Sequence, residues 1–230
     1  MTFLWVTGTD TGVGKTALSC ALLRCLAERG LWVAPVKLVE TGCEDLRCPA
    51  DALSLAEASW TEDLALVAPW RFSLAAAPST AARAEGQSLS PERLLAHLQK
   101  VREGGFPVLW EGAGGALVPL TDTCLQADLA ALACPMVLLV AHHRLGTLNH
   151  TLLTVEALER RGLSLLAVVF NQVTPPDPVS IEHAREFQRL RPDLAVFGPA
   201  PRCPPDNLAL LSVWVEQSGL VQRVARALQP

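Results

Sequence analysis

The residues with the clearest chemical purpose are Gly8-Thr9-Asp10-Thr11-Gly12-Val13-Gly14-Lys15-Thr16. They read as a phosphate-binding loop of the G-x-x-x-x-G-K-[ST] kind. Glycines at 8, 12 and 14 let the backbone curl until successive N–H groups point inward at phosphate oxygens. A helix beginning near Lys15 adds the positive end of its dipole. Lys15 can reach terminal phosphates, and the Thr16 hydroxyl is suited to ligating magnesium.

Other polar residues stand where apolar runs end. The run Leu31–Lys37 closes on a lysine, with Glu40 and Thr41 close behind. Such a lysine either reaches solvent or, beside a phosphate loop, neutralises charge developing on a transferred phosphoryl group. Asp51 opens Asp51-Ala52-Leu53 and reads as an N-cap. The run Pro107-Val108-Leu109-Trp110 leads into Glu111-Gly112-Ala113-Gly114-Gly115. A strand ending in a carboxylate is the second part of a phosphate-loop site, because the acid helps to hold magnesium. The glycines after it let the backbone pass close to phosphates.

Two later strand ends are open to more than one reading. His142-His143-Arg144-Leu145-Gly146-Thr147-Leu148-Asn149-His150 is either a helix start capped by Thr147 or Asn149, or a set of free N–H groups that bind an anionic substrate group. The histidines lack companions at metal-ligand spacing. Asn171-Gln172-Val173 is either a turn or an amide that presents a donor and an acceptor to a nucleobase edge.

The elements that must position these residues alternate. Apolar, strand-like runs occur at Phe3–Thr7, Leu31–Lys37, Pro107–Trp110, Met136–Ala141, Leu165–Phe170 and Leu194–Phe197. Helical patterns fall at Lys15–Arg29, Asp51–Ser59, Pro91–Arg102, Leu148–Arg161 and Val179–Leu190. The expected fold is α/β: one three-layer domain over 1–230, with a mostly parallel sheet covered by helices on both faces. Ligands then bind at the carboxyl ends of the strands, where the unusual residues lie. Leu208–Leu228, apolar at helical spacing, is expected to pack on the sheet.

Composition narrows the classes. Half of the 230 residues are apolar, enough for a substantial core. A net charge of -4 gives no reason to expect nucleic acid as the main partner. The start of the chain carries no Lys or Arg, so no signal peptide is expected; the longest apolar run, Leu129 to Ala141, is too short for a bilayer and is broken by Pro135. A cytoplasmic protein is the expectation. Seven cysteines without C-x-x-C spacing argue against a disulfide framework and a zinc site. Cys20, Cys25 and Cys134 read as small core residues.

Taken together, the chain resembles the dethiobiotin synthetase family. The motifs that carry the resemblance are Gly8 to Thr16, Lys37 with Thr41, Asp51-Ala52-Leu53, Glu111 to Gly115, Leu145-Gly146-Thr147-Leu148-Asn149-His150 and Asn171-Gln172-Val173-Thr174-Pro175-Pro176, in the family's order from residue 3 to about residue 203. Thr9-Asp10-Thr11 in the loop and the Leu-Gly-x-x-Asn-His turn are specific to that family rather than to phosphate-loop proteins in general. The resemblance implies that ATP, Mg2+, CO2 and 7,8-diaminononanoate give dethiobiotin, ADP and phosphate through a carbamate and a carbamic–phosphoric anhydride.

Carried over by position, Lys15 and Lys37 stabilise phosphoryl and carbamate oxygens, and Thr16, Asp51 and Glu111 hold magnesium. Nucleotide contacts fall on Gly12, Val13, Gly14, Lys15, Thr16, Ala17, Asp51, Glu111, Gly112, Ala113, Gly114, Asn171, Gln172, Pro201, Arg202 and Cys203. Thr11 and Thr41 meet the diamine end of the substrate. Leu145, Gly146, Thr147, Leu148 and Asn149 bind its carboxylate in the partner subunit's site, so a homodimer is implied.

The chain departs from the family where Gly12 replaces a frequent acid and Ser79 a frequent histidine. The rival class is the ATP-driven positioning and partitioning switches of the same fold, which carry a lysine early in the loop where this chain has Asp10. A second rival, an amidating ligase, usually carries a glutamine-hydrolysing domain for which 230 residues leave no room.

Overall fold

The computed structural model describes residues 3–133, 136–175, 182–203 and 208–229. Its strands are β1 (Phe3–Gly8), β2 (Ala34–Val36), β3 (Val39–Thr41), β4 (Trp70–Phe72), β5 (Val108–Gly115), β6 (Met136–His142), β7 (Ser164–Asn171) and β8 (Val196–Ala200). Its helices are α1 (Lys15–Glu28), α2 (Ala50–Ala58), α3 (Leu64–Val67), α4 (Pro78–Ala84), α5 (Pro91–Glu103), α6 (Gln126–Ala133), α7 (Thr147–Glu159), α8 (His183–Leu190), α9 (Leu208–Gln217) and α10 (Leu220–Leu228).

Six strands form one sheet in the order β2-β5-β1-β6-β7-β8. Its pairings among the described residues are parallel. A parallel sheet is covered on both faces, so its strands are apolar on alternate and intervening residues alike. β1 is the centre of this pattern, with all six residues buried. Leu4 and Val6 join a core with α1, α2, α9 and α10, whereas Phe3 and Trp5 join one with α5 and α6. A third cluster under α7 and α8 contains Leu139, Phe170 and Phe187. Trp5 stacks on Trp110 with ring centroids 5.4 Å apart. Fully burying one large apolar side chain contributes about 1.5–3 kcal/mol, so this pair anchors the strand that carries Glu111.

The alternation and the two-sided cover agree with the sequence reading; several boundaries do not. β2 begins only at Ala34 and ends before Lys37, because Leu31 to Val33 lie outside the ladder. β5 runs on through Glu111 to Gly115 rather than stopping at Trp110. The C-terminal segment divides at Ser218 and Gly219 into two helices, Gly219 taking a φ of +82°. Of the expected helix over Val179–Leu190, the described part is α8, ending at Leu190 as expected, and residues 179–181 lie outside the described residues. Cys20 and Cys25 are buried as expected, and Cys134 lies outside the described residues. No described helix is long and apolar enough to cross a membrane.

β3 and β4 form a separate two-stranded parallel ribbon that the sequence reading passed over. Three residues each are too few to show a period. Yet this ribbon sets one wall of the site, because β3 follows Lys37 after a single residue, Leu38.

Candidate active site

The loop between β1 and α1 is built as its glycines require. Gly14 caps α1 with a left-handed φ of +86°, and Gly12 has a φ of +72°. Five residues, Thr9 to Val13, separate Gly8 from Gly14, one more than the four of the pattern as first read. The longer turn still closes. Lys15 Nζ donates to the Asp10 carbonyl at 3.2 Å, and Asn171 Nδ2 donates to the Val13 carbonyl at 2.9 Å. A Cβ on Gly14 would lie 2.1 Å from Asn171 Nδ2, so only glycine fits between the loop and β7.

Four side chains from four different segments meet beside the loop. Thr16 Oγ1 donates to Asp51 Oδ1 at 3.0 Å and to Glu111 Oε1 at 2.8 Å as alternatives. Lys37 Nζ lies 2.6 Å from Asp51 Oδ2 and 2.6 Å from Glu111 Oε1. Glu111 is buried, and its Oε2 has no hydrogen-bond partner among the described residues. Burial opposes the charge on Lys37, but Glu111 and Asp51 outweigh it and hold the ammonium well above the usual lysine range. Burial likewise disfavours the Asp51 anion; Lys37 and the Thr16 hydroxyl overcome it and keep the carboxyl below its ordinary range. Burial first, then the charge of Lys37, lowers Lys15 to about 8.

Two cavities meet at this cluster. One, of about 410 Å3, is bordered by Thr11, Lys37, Glu40, Thr41, Asp51 and Gly114, with Ala113 beside them. The other, of about 820 Å3, is bordered by Gly14, Thr16, Ala17, Asn171, Gln172 and Arg202, with Cys203 at its rim. The Thr16–Asp51 hydrogen bond therefore joins the wall of one cavity to the wall of the other.

Comparison with known proteins agrees with this geometry. A family model described as an AAA domain matches residues 2–204. The chain is 46% identical over 189 residues to the ATP-dependent dethiobiotin synthetase BioD of Anaeromyxobacter dehalogenans (strain 2CP-C), covering 81% of this chain and 84% of that one. It is 37% identical over 194 residues to BioD 1 of Escherichia coli (strain K12), covering 82% and 85%. This chain belongs to the dethiobiotin synthetase family. Solved structures show the fold of that family to be shared more widely. The MinC:MinD cell division protein complex of Aquifex aeolicus superposes with a TM-score of 0.57 at 13% identity, over 98% of this chain and 94% of that one. pNOB8 ParA bound to nonspecific DNA gives 0.55 at 11% identity, over 98% of each chain.

The residues that the family resemblance singled out are mostly brought together. Thr11, Lys37, Thr41, Asp51, Ala113 and Gly114 share the smaller cavity. Gly112 instead backs onto the core, where a Cβ would lie 2.8 Å from Gln126 Oε1 and 3.0 Å from Trp5 Nε1. Gly12 is exposed and Val13 buried, so neither side of the loop there lines the two cavities. Pro201 is half-buried beside Arg202.

The Leu145–Asn149 turn borders neither cavity. Its helix is capped by Gly146 with a φ of +88°, not by the Thr147 or Asn149 side chains. Thr147 is the buried first residue of this helix, and its hydroxyl lies 3.5 Å from that of Thr151. Asp51 is not an N-cap either: Pro49 holds that position and α2 begins at Ala50.

Sequence reasoning missed two side chains that hold the site in place. Glu40 accepts hydrogen bonds from the backbone of Asp51 and Ala52, both at 2.9 Å. Burial pushes its carboxyl up, against the two N–H groups that favour the anion. Gln126 accepts from Ala113 N–H at 2.8 Å and donates to the carbonyls of Ala113 and, at 3.0 Å, of Gly115. A glutamine lying mid-pattern carried no signal for this. Glu40, next to Thr41 and three residues after Lys37, did offer one.

Proposed function

We propose that this chain is a ligase that closes the ureido ring of dethiobiotin from 7,8-diaminononanoate, CO2 and ATP, releasing ADP and phosphate. The observation that carries this reading is the cluster of Thr16, Lys37, Asp51 and Glu111 at the meeting of two cavities. The larger cavity takes the nucleotide, with Asn171, Gln172, Pro201, Arg202 and Cys203 around its base. The smaller takes the diamine, with Thr11 and Thr41 at its reacting end.

An amine of the substrate adds to CO2 and loses a proton, giving a carbamate. The carbamate oxygen then takes the γ-phosphoryl group, and ADP leaves. The second amine attacks the carbamoyl carbon and loses a proton, the ring closes and phosphate departs. Phosphorylation supplies the leaving group that a carbamate lacks. Lys15 and Lys37 neutralise oxygens that gain charge, and the loop amides hold the phosphates in line.

Thr16, Asp51 and Glu111 fit a magnesium ion. Their atoms form a hard oxygen set with two carboxylates, as Mg2+ uses beside substrate phosphates, and Glu111 Oε2 is a buried acceptor without a partner among the described residues. The ion would supply charge neutralisation on the phosphate oxygens. We further propose one catalytic domain over 1–230, a cytoplasmic location, and a homodimer in which the Leu145–Asn149 turn holds the substrate carboxylate in the partner's site. Asp10, where the partitioning switches carry a lysine, favours the ligase over that class.

The test is phosphate release from ATP with Mg2+ and bicarbonate, with and without 7,8-diaminononanoate, with dethiobiotin followed by mass spectrometry. Diamine-dependent release matched by dethiobiotin is expected. Release indifferent to the diamine, with no new product, would return the chain to the switch class.

A further inference from the structure

Helix α2 starts without a cap of its own. Pro49, at the capping position, has no side chain that accepts a hydrogen bond, and Asp51 turns its carboxylate away toward Thr16 and Lys37. The exposed N–H groups of a first turn need acceptors. Glu40 provides them from another element: its Oε1 takes the Asp51 N–H and its Oε2 the Ala52 N–H, each at 2.9 Å. Glu40 lies in β3, is only 5% exposed, and borders the same cavity as Lys37 and Asp51.

We infer that Glu40 is a positioning residue for the metal–phosphate site, fixing the backbone of Asp51 so that its carboxylate meets Thr16 and Lys37. The inference rests on the reading of Asp51 as part of that site. Because Glu40 caps the helix, Asp51 is released from the capping role that its place in the sequence suggests. A rotation of the first turn would carry Asp51 Oδ2 away from Lys37 Nζ, now 2.6 Å distant. Both oxygens of Glu40 are used, so a glutamine cannot replace it: its amide accepts one N–H and turns an NH2 toward the other.

The test compares wild type, Glu40→Gln, Asp51→Asn and the double variant. Mg2+ is titrated calorimetrically into protein saturated with a non-hydrolysable ATP analogue, and kcat and KM for the diamine are measured beside it. Loss of a partner that orients a ligand typically weakens metal binding roughly 10–100-fold. Glu40→Gln is expected to weaken Mg2+ binding about tenfold and to lower kcat, with the diamine KM unmoved. Added to Asp51→Asn it should cost nothing further, since Glu40 acts through Asp51. Should Glu40→Gln not fold, Glu40→Asp keeps the charge, is too short to span both N–H groups, and carries the same expectation. Unchanged Mg2+ binding, a raised diamine KM alone, or additive effects in the double variant would each overturn the inference while wild-type turnover stands. Wild-type protein without diamine-dependent phosphate release would overturn the reading of the site, and the inference with it.

Discussion

Lys37 holds two carboxylates that would otherwise repel, and one of them has no exposure to solvent through its side chain. Removing one member of a buried ion pair leaves the other charge uncompensated, at about 3–5 kcal/mol. Lys37→Ala should therefore lose stability of that order in urea unfolding. Turnover should fall about 10²–10³-fold, as when a group stabilising transition-state charge is removed, with nucleotide binding largely kept. Unchanged turnover would take Lys37 out of the site.

Lys15 gives a second prediction at this scale. Its folded pKa of about 8 lies below the ordinary 10.5, so the unfolded chain binds more protons between those values and the protein gains stability as pH rises through that window. Phosphate binding acts in the opposite sense by favouring the ammonium. At pH 9, nucleotide binding should take up about one proton. Calorimetry in buffers of different ionisation enthalpy measures this, and zero uptake would mean that Lys15 is already charged in the free protein.

Among the elements, the end of β5 is where backbone and side chain cooperate. The strand continues past Glu111 into Gly-rich backbone, and Gln126 from α6 hydrogen-bonds it as a neighbouring strand would. Gln126→Leu leaves the half-buried Ala113 N–H and the carbonyls of Ala113 and Gly115 without this partner, a loss of about 1–3 kcal/mol. Amide exchange at Ala113 should quicken in that variant. Exchange as slow as in the wild type would show that the strand end holds itself. This brace was not legible beforehand, because a single glutamine has no period and its partners lie 11 and 13 residues away. The strands themselves were legible, since both faces of a parallel sheet are apolar and leave unbroken runs. β3 and β4 were not, at three residues each.

At the scale of the molecule, some of the large apolar side chains left on the surface lie near the phosphate loop. Leu117, Leu145 and Leu153 are 44%, 72% and 57% exposed. Leu117 and Leu153 border one cavity together with Asp10 and Thr11. Exposed apolar groups that cluster mark contact surfaces, and this one supports the proposed homodimer. Sedimentation should give twice the chain mass of 24.7 kDa. Leu153→Glu should halve it and lower the affinity for the diamine; a monomeric wild type with full activity would sink the shared site.

The sequence by itself determined the parts whose physics is local: a glycine-rich turn followed by a helix, apolar runs of strand length, and polar residues placed at the strand ends where a parallel sheet gathers its ligands. It also carried the family's order of motifs. Only the tertiary structure decided what those residues touch. Asn171 grips a loop 158 positions away, Glu111 meets a hydroxyl 95 away, and Glu40 rather than Pro49 or Asp51 caps α2. Hydrogen bonds between distant segments leave no periodic trace in a chain. They exist because the sheet brings its carboxyl ends to one edge, where a buried polar group must find a partner.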